Sequence, residues 1–259
     1  MSTEEKAWKR FLQQGIYYIV NPFVRLLIKL GFTPNAVTMT GFIMNIGVAV
    51  LFIIAAEDEN RANYAYVGWA GFLIMMAGLF DMLDGQVARM GNMGSTFGAL
   101  FDSVLDRYSE LVMFLGICYY LIAHDYFLSS LFAFVALIGS MMVSYTRARA
   151  EGLGIECKGG FFQRPERVVL IALAGMFCGL TAFLFGDFKL YIPGVPFSVF
   201  ETMSVFTFPL AILAVFTNVT AFSRLMGAKK SLEEKEAAEL RQQTVRSYEP
   251  IKENTVTPV

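Results

Sequence analysis

Long apolar segments, separated by short polar stretches, follow one another along most of the chain. Six segments reach the length of a membrane-spanning helix, which needs about 20 residues to cross a hydrocarbon core of about 30 Å. The predicted spans are residues 36–56, 64–90, 98–123, 127–150, 165–185 and 200–224. Ahead of them, residues 4–30 place apolar side chains at helical spacing among charged ones, with a break expected at Asn21-Pro22. The pattern predicts an all-α integral membrane protein, with six transmembrane helices preceded by an N-terminal amphipathic interfacial helix.

Three parts of the chain differ in this pattern. Residues 1–33 are predicted to form the amphipathic juxtamembrane helix and a turn, and residues 34–227 the six-helix transmembrane domain. Residues 228–259 are rich in Glu, Lys and Gln without a sustained apolar stripe, which predicts a polar cytoplasmic tail that starts as a solvated helix and ends disordered. Residues 186–199, with two prolines and two glycines, are expected to form a loop between the last two spans.

Composition supports the membrane assignment, and charge predicts its orientation. Hydrophobic residues make up 56% of the 259 residues, and the mean hydropathy is +0.52, which is too apolar for a typical soluble domain. The net charge of -1 gives no indication of a nucleic-acid partner, and we expect none. Lysine and arginine concentrate in alternate polar segments, while only Arg61 and Lys189 fall on the opposite side. The positive-inside rule therefore predicts a multi-pass protein of the cell (inner) membrane, with both termini in the cytoplasm.

The most informative polar stretch carries four carboxylates within otherwise apolar sequence. Asp81 and Asp84 are three residues apart and Asp102 and Asp106 four apart, so each pair shares one face of a helix. The glycine-containing run 90–96 is expected to fold the second helix back beside the first, which brings the four acids together. Such a cluster repels itself unless cations neutralise it, and two divalent ions about 4 Å apart are the usual solution. Small residues that leave room for a ligand beside the acids are Gly85, Ala88 and Gly98.

A second polar group lies at the end of the fourth predicted span and the start of the fifth. Its four arginines are Arg147, Arg149, Arg164 and Arg167. Positive-inside topology and contact with lipid phosphates explain some of them. A pocket for an anionic ligand is the alternative, because guanidinium groups bind phosphate through forked hydrogen bonds. In that interpretation, Arg147 and Arg164 are the expected direct contacts.

The spacing of the four acids matches a known signature. The chain reads D-x-x-D-G-x-x-A-R at residues 81–89 and, after eight residues, G-x-x-x-D-x-x-x-D at residues 98–106. It resembles the CDP-alcohol phosphotransferase family at every position of this motif. Those integral-membrane enzymes attack a CDP-linked lipid or alcohol with a hydroxyl group and release CMP. The resemblance implies two ions, Mg²⁺ or Mn²⁺, held by Asp81, Asp84, Asp102 and Asp106, with Asp106 as the general base as well.

The same resemblance indicates where the CDP-lipid binds. In the family a P-N-x-x-T element borders the nucleotide, and this chain carries it at residues 34–38. As sequence alone, Asn35 and Thr38 are equally consistent with simple helix-capping residues. The residues predicted to contact CDP-diacylglycerol are Asn35, Ala36, Val37, Thr38, Gly85, Ala88, Arg89, Ser95 and Gly98.

The second polar group is similar to one branch of the family. The chain reads S-Y-x-R-A-R-A-E at residues 144–151 and G-G-F-x-x-R-P-E-R at residues 159–167. These motifs resemble the branch that makes phosphatidylinositol phosphate from CDP-diacylglycerol and inositol 1-phosphate. The implied acceptor-phosphate residues are Ser144, Arg147 and Arg164, to which we add Arg167.

Three alternatives to inositol 1-phosphate transfer remain open at this point. Glycerol 3-phosphate also carries a phosphate that the arginines would bind, and free inositol is a third acceptor. A divalent-cation transporter would use the acids as a relay, although the opposite halves of the spans are apolar and argue against it. Membrane lipids are expected to surround the spans, and a homodimer through lipid-facing spans is common in the family.

Overall fold

The computed structural model describes residues 20–60, 63–155, 163–191 and 198–248. Within these ranges the chain forms seven helices and one two-stranded antiparallel sheet. The helices are α1 (residues 20–29), α2 (Pro34–Ala56), α3 (Ala65–Met90), α4 (Thr96–Ala123), α5 (Phe127–Gly152), α6 (Arg164–Phe185) and α7 (Ser204–Tyr248). The strands are β1 (Lys189–Tyr191) and β2 (Ser198–Glu201).

Five helices are long and apolar enough to cross a membrane: α2, α3, α5, α6 and, over Ser204–Arg241, α7. Helix α4 has the length, 28 residues, but its first half is charged. Its four charged residues are Asp102, Asp106, Arg107 and Glu110. The all-helical membrane architecture is confirmed with five candidate spans, and the predicted sixth corresponds to α4.

The structure differs from the sequence prediction in its connections. The segment predicted as a loop, residues 186–199, contains β1 and the first residues of β2. The two strands pair with each other. By contrast, the tail starts as a helix, as predicted, because α7 passes through residue 228 without interruption. Most of the predicted amphipathic segment, residues 1–19, lies outside the described residues, and α1 contains Asn21-Pro22. The three-part division of the chain stays a prediction.

Helix α2 is a common neighbour of the two helices that carry the acids. It packs closely against both α3 and α4, whereas those two make little direct contact in the described part of the chain. The turn after α3 reverses the chain, with Asn92 at a positive φ of 52°, and the carboxylates of α3 and α4 come within 4.8 Å of one another. The expected return of the second helix beside the first is therefore found, although the two backbones stay apart and α2 packs against both. The space left between α3 and α4 at that end becomes the site.

Glycines allow three pairs of helices to approach closely. A Cβ atom on Gly71 of α3 would lie 2.6 Å from the carbonyl oxygen of Ala172 in α6. One on Gly116 of α4 would lie 2.7 Å from the Cα atom of Ala49 in α2, and Gly139 of α5 meets α7 in the same way. Small residues at such contacts let helix backbones pack directly, which stabilises helix association in a membrane.

We expect Gly71→Ala to destabilise the bundle, because the added methyl group meets backbone atoms that cannot rotate away. Overpacking of this kind costs about 1–3 kcal/mol, so the unfolding temperature in detergent should fall by several degrees. The control is Gly152→Ala, where a Cβ atom meets nothing within 4 Å. An unfolding temperature for Gly71→Ala equal to that of the control would contradict the close α3–α6 contact.

One end of the bundle collects the helix termini that carry the predicted site. Helices α2, α4 and α6 begin there, and α3 and α5 end there. Each of the three N-termini is capped by its own sequence: Thr33 Oγ1 accepts from the Ala36 amide at 3.3 Å, and Ser95 Oγ from the Gly98 amide at 2.9 Å. Gln163 and Glu166 form a reciprocal capping box at the start of α6. Three helix N-termini therefore direct partial positive charge toward one region.

Candidate active site

Three of the four predicted acids meet between α3 and α4. One carboxylate oxygen from each of Asp81, Asp102 and Asp106 lies within 4.8 Å of the other two. All three side chains are partly buried, and the set offers oxygen ligands only. Carboxylate oxygens at this spacing suit a hard divalent cation such as Mg²⁺ or Mn²⁺. The residues present therefore fit the metal that the sequence predicts.

Asp84 lies to one side of these three carboxylates. Its oxygen Oδ2 accepts a hydrogen bond from Thr38 Oγ1 at 2.7 Å, and the residue is only 6% exposed. The Thr38–Asp84 bond ties the start of α2 to the end of α3, and the same hydroxyl lies 3.1 Å from the carbonyl oxygen of Pro34 in its own helix. The role of Asp84 as a metal ligand stays a prediction, and its contact with α2 is a finding.

Arg164, the first residue of α6, lies among the acids. Its Nη1 atom is 2.9 and 2.8 Å from the two oxygens of Asp81 and 2.6 Å from Oδ2 of Asp106. In this arrangement the guanidinium neutralises carboxylates that would otherwise repel one another. The sequence placed Arg164 on the acceptor side and did not predict that it reaches the acids. Because Arg164 contacts Asp81 and Asp106, two of the predicted metal ligands, it competes with a cation for their oxygens.

Three cavities adjoin the acids. A polar cavity of about 380 Å³ lies beside Asp102 and Asp106, and an apolar cavity of about 370 Å³ beside Asp81 and Asp106. A smaller cavity of about 220 Å³ lies beside Asp84 and Asp102. Each cavity therefore shares an acid with a neighbour, and the acids stand where the three spaces meet.

The smallest cavity collects most of the residues predicted to bind the CDP-lipid. Asn35, Thr38, Gly85, Ala88, Ser95 and Gly98 all line it. A Cβ atom on Gly98 would lie 3.3 Å from Asn35 Oδ1, so the glycine leaves room for α2 to reach α4. We call this space the nucleotide-side cavity.

Three residues predicted for the same role lie elsewhere. Val37 is 1% exposed and packs in a small core with α1 and α3. Ala36 and Arg89 are exposed, and Arg89 Nε donates to the carbonyl oxygen of Gly85 at 3.1 Å. The helix period explains this division, because residues 35 and 38 share a face of α2 that residue 37 does not.

The polar cavity contains every residue predicted to bind the acceptor phosphate. Ser144, Arg147, Arg164 and Arg167 line it. Arg147 Nε donates to Glu151 at 2.8 Å and remains 58% exposed, whereas Arg167 is buried against Glu110. Arg149, which the sequence grouped with them, is not part of this lining. We call this space the acceptor-side cavity.

Two further arginines of this cavity were missed by sequence reasoning. Arg224 of α7 lines the cavity and donates to the carbonyl oxygen of Val143 at 3.0 Å. Arg107 of α4 lines it as well, and its Nη1 lies 2.6 Å from Ser103 Oγ. In the sequence, Arg224 appears only as a basic residue after the last span. Its separation of about 60 residues from the other arginines hides the contact, which depends on the α5–α7 packing.

Comparison with known proteins identifies the same region as a family domain. The family model described as CDP-alcohol phosphatidyltransferase matches residues 32–213. A phosphatidylinositol phosphate synthase of Corynebacterium glutamicum is 34% identical over 215 residues, which cover 82% of this chain and 85% of that protein. The match contains all four acids and the arginines of α5 and α6.

Solved structures of a second relative share the fold. The crystal structure of Mycobacterium tuberculosis phosphatidylinositol phosphate synthase with CDP-DAG bound superposes with a TM-score of 0.62 at 28% identity, covering 82% of this chain and 94% of that one. The same relative in complex with manganese and citrate gives a TM-score of 0.62 at 27% identity, covering 80% and 87%. A divalent metal in that relative agrees with the cluster of Asp carboxylates found here.

Proposed function

Because the chain belongs to the CDP-alcohol phosphatidyltransferase family, we propose that it transfers the phosphatidyl group of CDP-diacylglycerol to inositol 1-phosphate. The products are phosphatidylinositol phosphate and CMP. The observation that carries this proposal is the arrangement of the acids between two cavities, one lined by the nucleotide motif and the other by arginines. The curated relative with 34% identity is named for this product.

The donor lipid fits the nucleotide-side and apolar cavities. The N-termini of α2 and α4 border the nucleotide-side cavity, and backbone amides at helix N-termini favour phosphate groups. The adjoining apolar cavity is lined mostly by apolar side chains, among them Phe42, Leu79 and Val168. A CDP-lipid has a polar nucleotide and an apolar diacylglycerol part, so it matches two cavities that meet at the acids.

The acceptor fits the acceptor-side cavity. Five arginines line it: Arg107, Arg147, Arg164, Arg167 and Arg224. A ligand with its own phosphate group would offset this charge through forked hydrogen bonds. Free inositol carries no charge and would offer the guanidinium groups only neutral hydrogen bonds, which is why a phosphorylated acceptor is favoured.

Asp106 is suited to take the proton of the acceptor hydroxyl, because it borders both the acceptor-side and the apolar cavity. As the proton moves to the carboxylate, the hydroxyl oxygen forms a bond to the phosphorus that carries the diacylglycerol. The bond from that phosphorus to the CMP oxygen breaks, and CMP leaves with the electron pair. We propose that Asp81, Asp84, Asp102 and Asp106 hold two Mg²⁺ or Mn²⁺ ions. Divalent ions at such a site neutralise charge on the donor phosphates and on the leaving group.

We also propose the arrangement of this protein in the membrane. Helix α4 is the sixth span, since it packs inside the bundle against α2 and α5 and its charged residues face the site rather than lipid. The lysine and arginine distribution supports cytoplasmic termini and a cytoplasmic active site. We propose as well that the protein forms a homodimer through lipid-facing spans, as the family resemblance implies.

The nature of the product tests this proposal. Purified protein with CDP-diacylglycerol, inositol 1-phosphate and Mn²⁺ should form a lipid with the mass of phosphatidylinositol phosphate, in equal amount to the CMP released. A chelator should stop the reaction, and added Mn²⁺ should restore it. Mass spectrometry of the extracted lipid decides the matter. A lipid product that forms only when glycerol 3-phosphate is the acceptor would replace inositol 1-phosphate in the proposal.

Thr38→Val should weaken CDP-lipid binding. The substitution removes the hydroxyl that donates to Asp84 at 2.7 Å and keeps the shape of the side chain. A hydrogen bond to a charged group contributes about 1.5–3 kcal/mol, so the KM for CDP-diacylglycerol should rise about tenfold or more. The control is Thr40→Val, since the Thr40 hydroxyl donates only to its own helix, at Ala36. Equal KM values for the two variants would exclude a role for the Thr38–Asp84 contact.

A further inference from the structure

A buried ion pair lies one helical turn deeper in the bundle than the acids. Arg167 of α6 donates from Nε to Glu110 Oε1 at 3.0 Å and from Nη2 to Oε2 at 3.2 Å. The two side chains are 2% and 3% exposed. Ser140 of α5, which is fully buried, donates its hydroxyl hydrogen to the same carboxylate. One carboxylate thus joins α4, α5 and α6.

The position of this pair along its helices relates it to the active site. Glu110 follows Asp106 by four residues on α4, and Arg167 follows Arg164 by three residues on α6. Residues at these separations share a helix face. Two arginine–carboxylate pairs therefore stack between α4 and α6: Arg164 with Asp106 above, and Arg167 with Glu110 below.

The stacked pairs form the wall between two cavities. Asp106, Glu110, Arg164 and Pro165 line both the apolar cavity and the acceptor-side cavity. On one side of this wall the lining is mostly apolar, and on the other side it is charged. Movement of α6 relative to α4 would open a path between the cavities and would shift Arg164 away from Asp106.

Stability alone does not explain a charged pair at this depth. Removing two charges from water costs several kcal/mol per ion, and well-packed apolar side chains often stabilise a protein as much or more. The hydrogen-bonding capacity of the Glu110 carboxylate is nevertheless largely used, since it accepts three hydrogen bonds from two other helices. Such a contact tolerates little sliding between the helices that it joins, which suits a role in positioning.

We propose that the Glu110–Arg167 pair positions Arg164 and Asp106 and closes the acceptor-side cavity against the apolar cavity. This inference rests on the proposed transfer reaction. With the pair intact, the acceptor phosphate meets Arg164 at a fixed depth, and the acceptor hydroxyl is the nucleophile that reaches the donor phosphorus. With the pair broken, the acceptor binds less well and water gains access to the CDP-lipid.

Glu110→Gln tests the inference, because glutamine keeps the size of the side chain and removes its charge. The KM for inositol 1-phosphate should rise about tenfold, the effect of losing one charge-assisted contact, while the KM for CDP-diacylglycerol changes less than twofold. More CMP should be released than phosphatidylinositol phosphate formed, because water that attacks the CDP-lipid in place of the acceptor yields phosphatidic acid and CMP. A lowered kcat with both KM values unchanged and CMP still equal to phosphatidylinositol phosphate would show a merely structural role and overturn the proposal. Kinetic constants and a product ratio equal to those of the wild type would overturn it as well.

Two further variants keep the test decisive. The double substitution Glu110→Leu with Arg167→Met replaces the pair by apolar side chains, so that it folds without a buried unpaired charge, and it should show the same KM increase and excess of CMP. Thr217→Val removes a buried hydroxyl between α5 and α7, away from the site. It should lower the unfolding temperature but keep a one-to-one ratio of CMP to phosphatidylinositol phosphate. If wild-type protein forms no phosphatidylinositol phosphate, the proposed function fails; if wild type transfers and the variants keep its KM and ratio, only the positioning role fails.

Discussion

Asp106→Asn is expected to lower kcat about a thousandfold, within the range of about 10² to 10⁴ that general-base catalysis contributes. The amide cannot accept the proton of the acceptor hydroxyl. It retains an oxygen that Arg164 Nη1, now 2.6 Å from Oδ2 of Asp106, can still donate to. The variant should therefore fold, with an unfolding temperature in detergent close to that of the wild type.

The matched control for this prediction is Asp125→Asn. Asp125 lies after α4 at the opposite end of the bundle, with a φ of 66° that asparagine also adopts. It should keep wild-type turnover, measured as CMP released per minute from CDP-diacylglycerol. Retention of more than a tenth of wild-type turnover by a folded Asp106→Asn protein would exclude Asp106 as the base.

Arg164→Gln is expected to raise the KM for inositol 1-phosphate about a hundredfold. The reason is the loss of a forked contact to the acceptor phosphate, since each charge-assisted hydrogen bond contributes about 1.5–3 kcal/mol and 1.4 kcal/mol is a factor of ten. The same variant should bind Mn²⁺ more tightly than wild type. The wild-type guanidinium is bonded to Asp81 and Asp106, so it competes with a cation for their oxygens, and glutamine carries no charge to do so.

Initial rates against acceptor concentration and calorimetric titration with Mn²⁺ measure these two effects separately. Arg149→Gln is the control, because Arg149 is an exposed arginine of α5 that does not line the acceptor-side cavity. An unchanged acceptor KM in Arg164→Gln would exclude its contact with the acceptor phosphate. Weaker or equal Mn²⁺ binding would contradict competition between the guanidinium and the metal.

Local pattern was sufficient to locate the helices. The apolar runs end where capping residues or glycines occur, so the predicted start of α6 at residue 165 differs by one residue from its observed start at Arg164. The hairpin was missed because β1 contains only three residues, too few for an alternating pattern to be recognised. Helix α7 continues beyond the predicted end of the span at residue 224, as expected of a tail that starts as a solvated helix, because helical propensity continues in the charged sequence.

The acids could be found from their spacing, but their surroundings could not. Helical periodicity places Asp102 and Asp106 on one face of α4, and the structure agrees. That α2 packs against both α3 and α4, and that Thr38 binds Asp84, depends on packing between different helices. The ion pairs of Arg164 depend in the same way on the depth of α6 against α3 and α4. No local pattern determines such a depth.

The buried pair shows a further limit of sequence reasoning. Arg167 was predicted to bind the acceptor phosphate because it belongs to the R-P-E-R motif together with Arg164. Both line the acceptor-side cavity, yet Arg167 is 2% exposed and bonded to Glu110. Glu110 is the last charged residue before the apolar remainder of α4, and a charge at that depth of a predicted span is a signal that could have revealed the pair.

The most direct test is to measure kcat/KM for CMP release from CDP-diacylglycerol by purified protein with Mn²⁺, using inositol 1-phosphate, glycerol 3-phosphate and free inositol as acceptors. The five arginines of the acceptor-side cavity favour a phosphorylated acceptor, so inositol 1-phosphate should give the highest value and free inositol the lowest. Equal or faster reaction with free inositol would contradict a phosphate-binding cavity. Metal-independent release, or none with any acceptor, would contradict the proposed transfer itself.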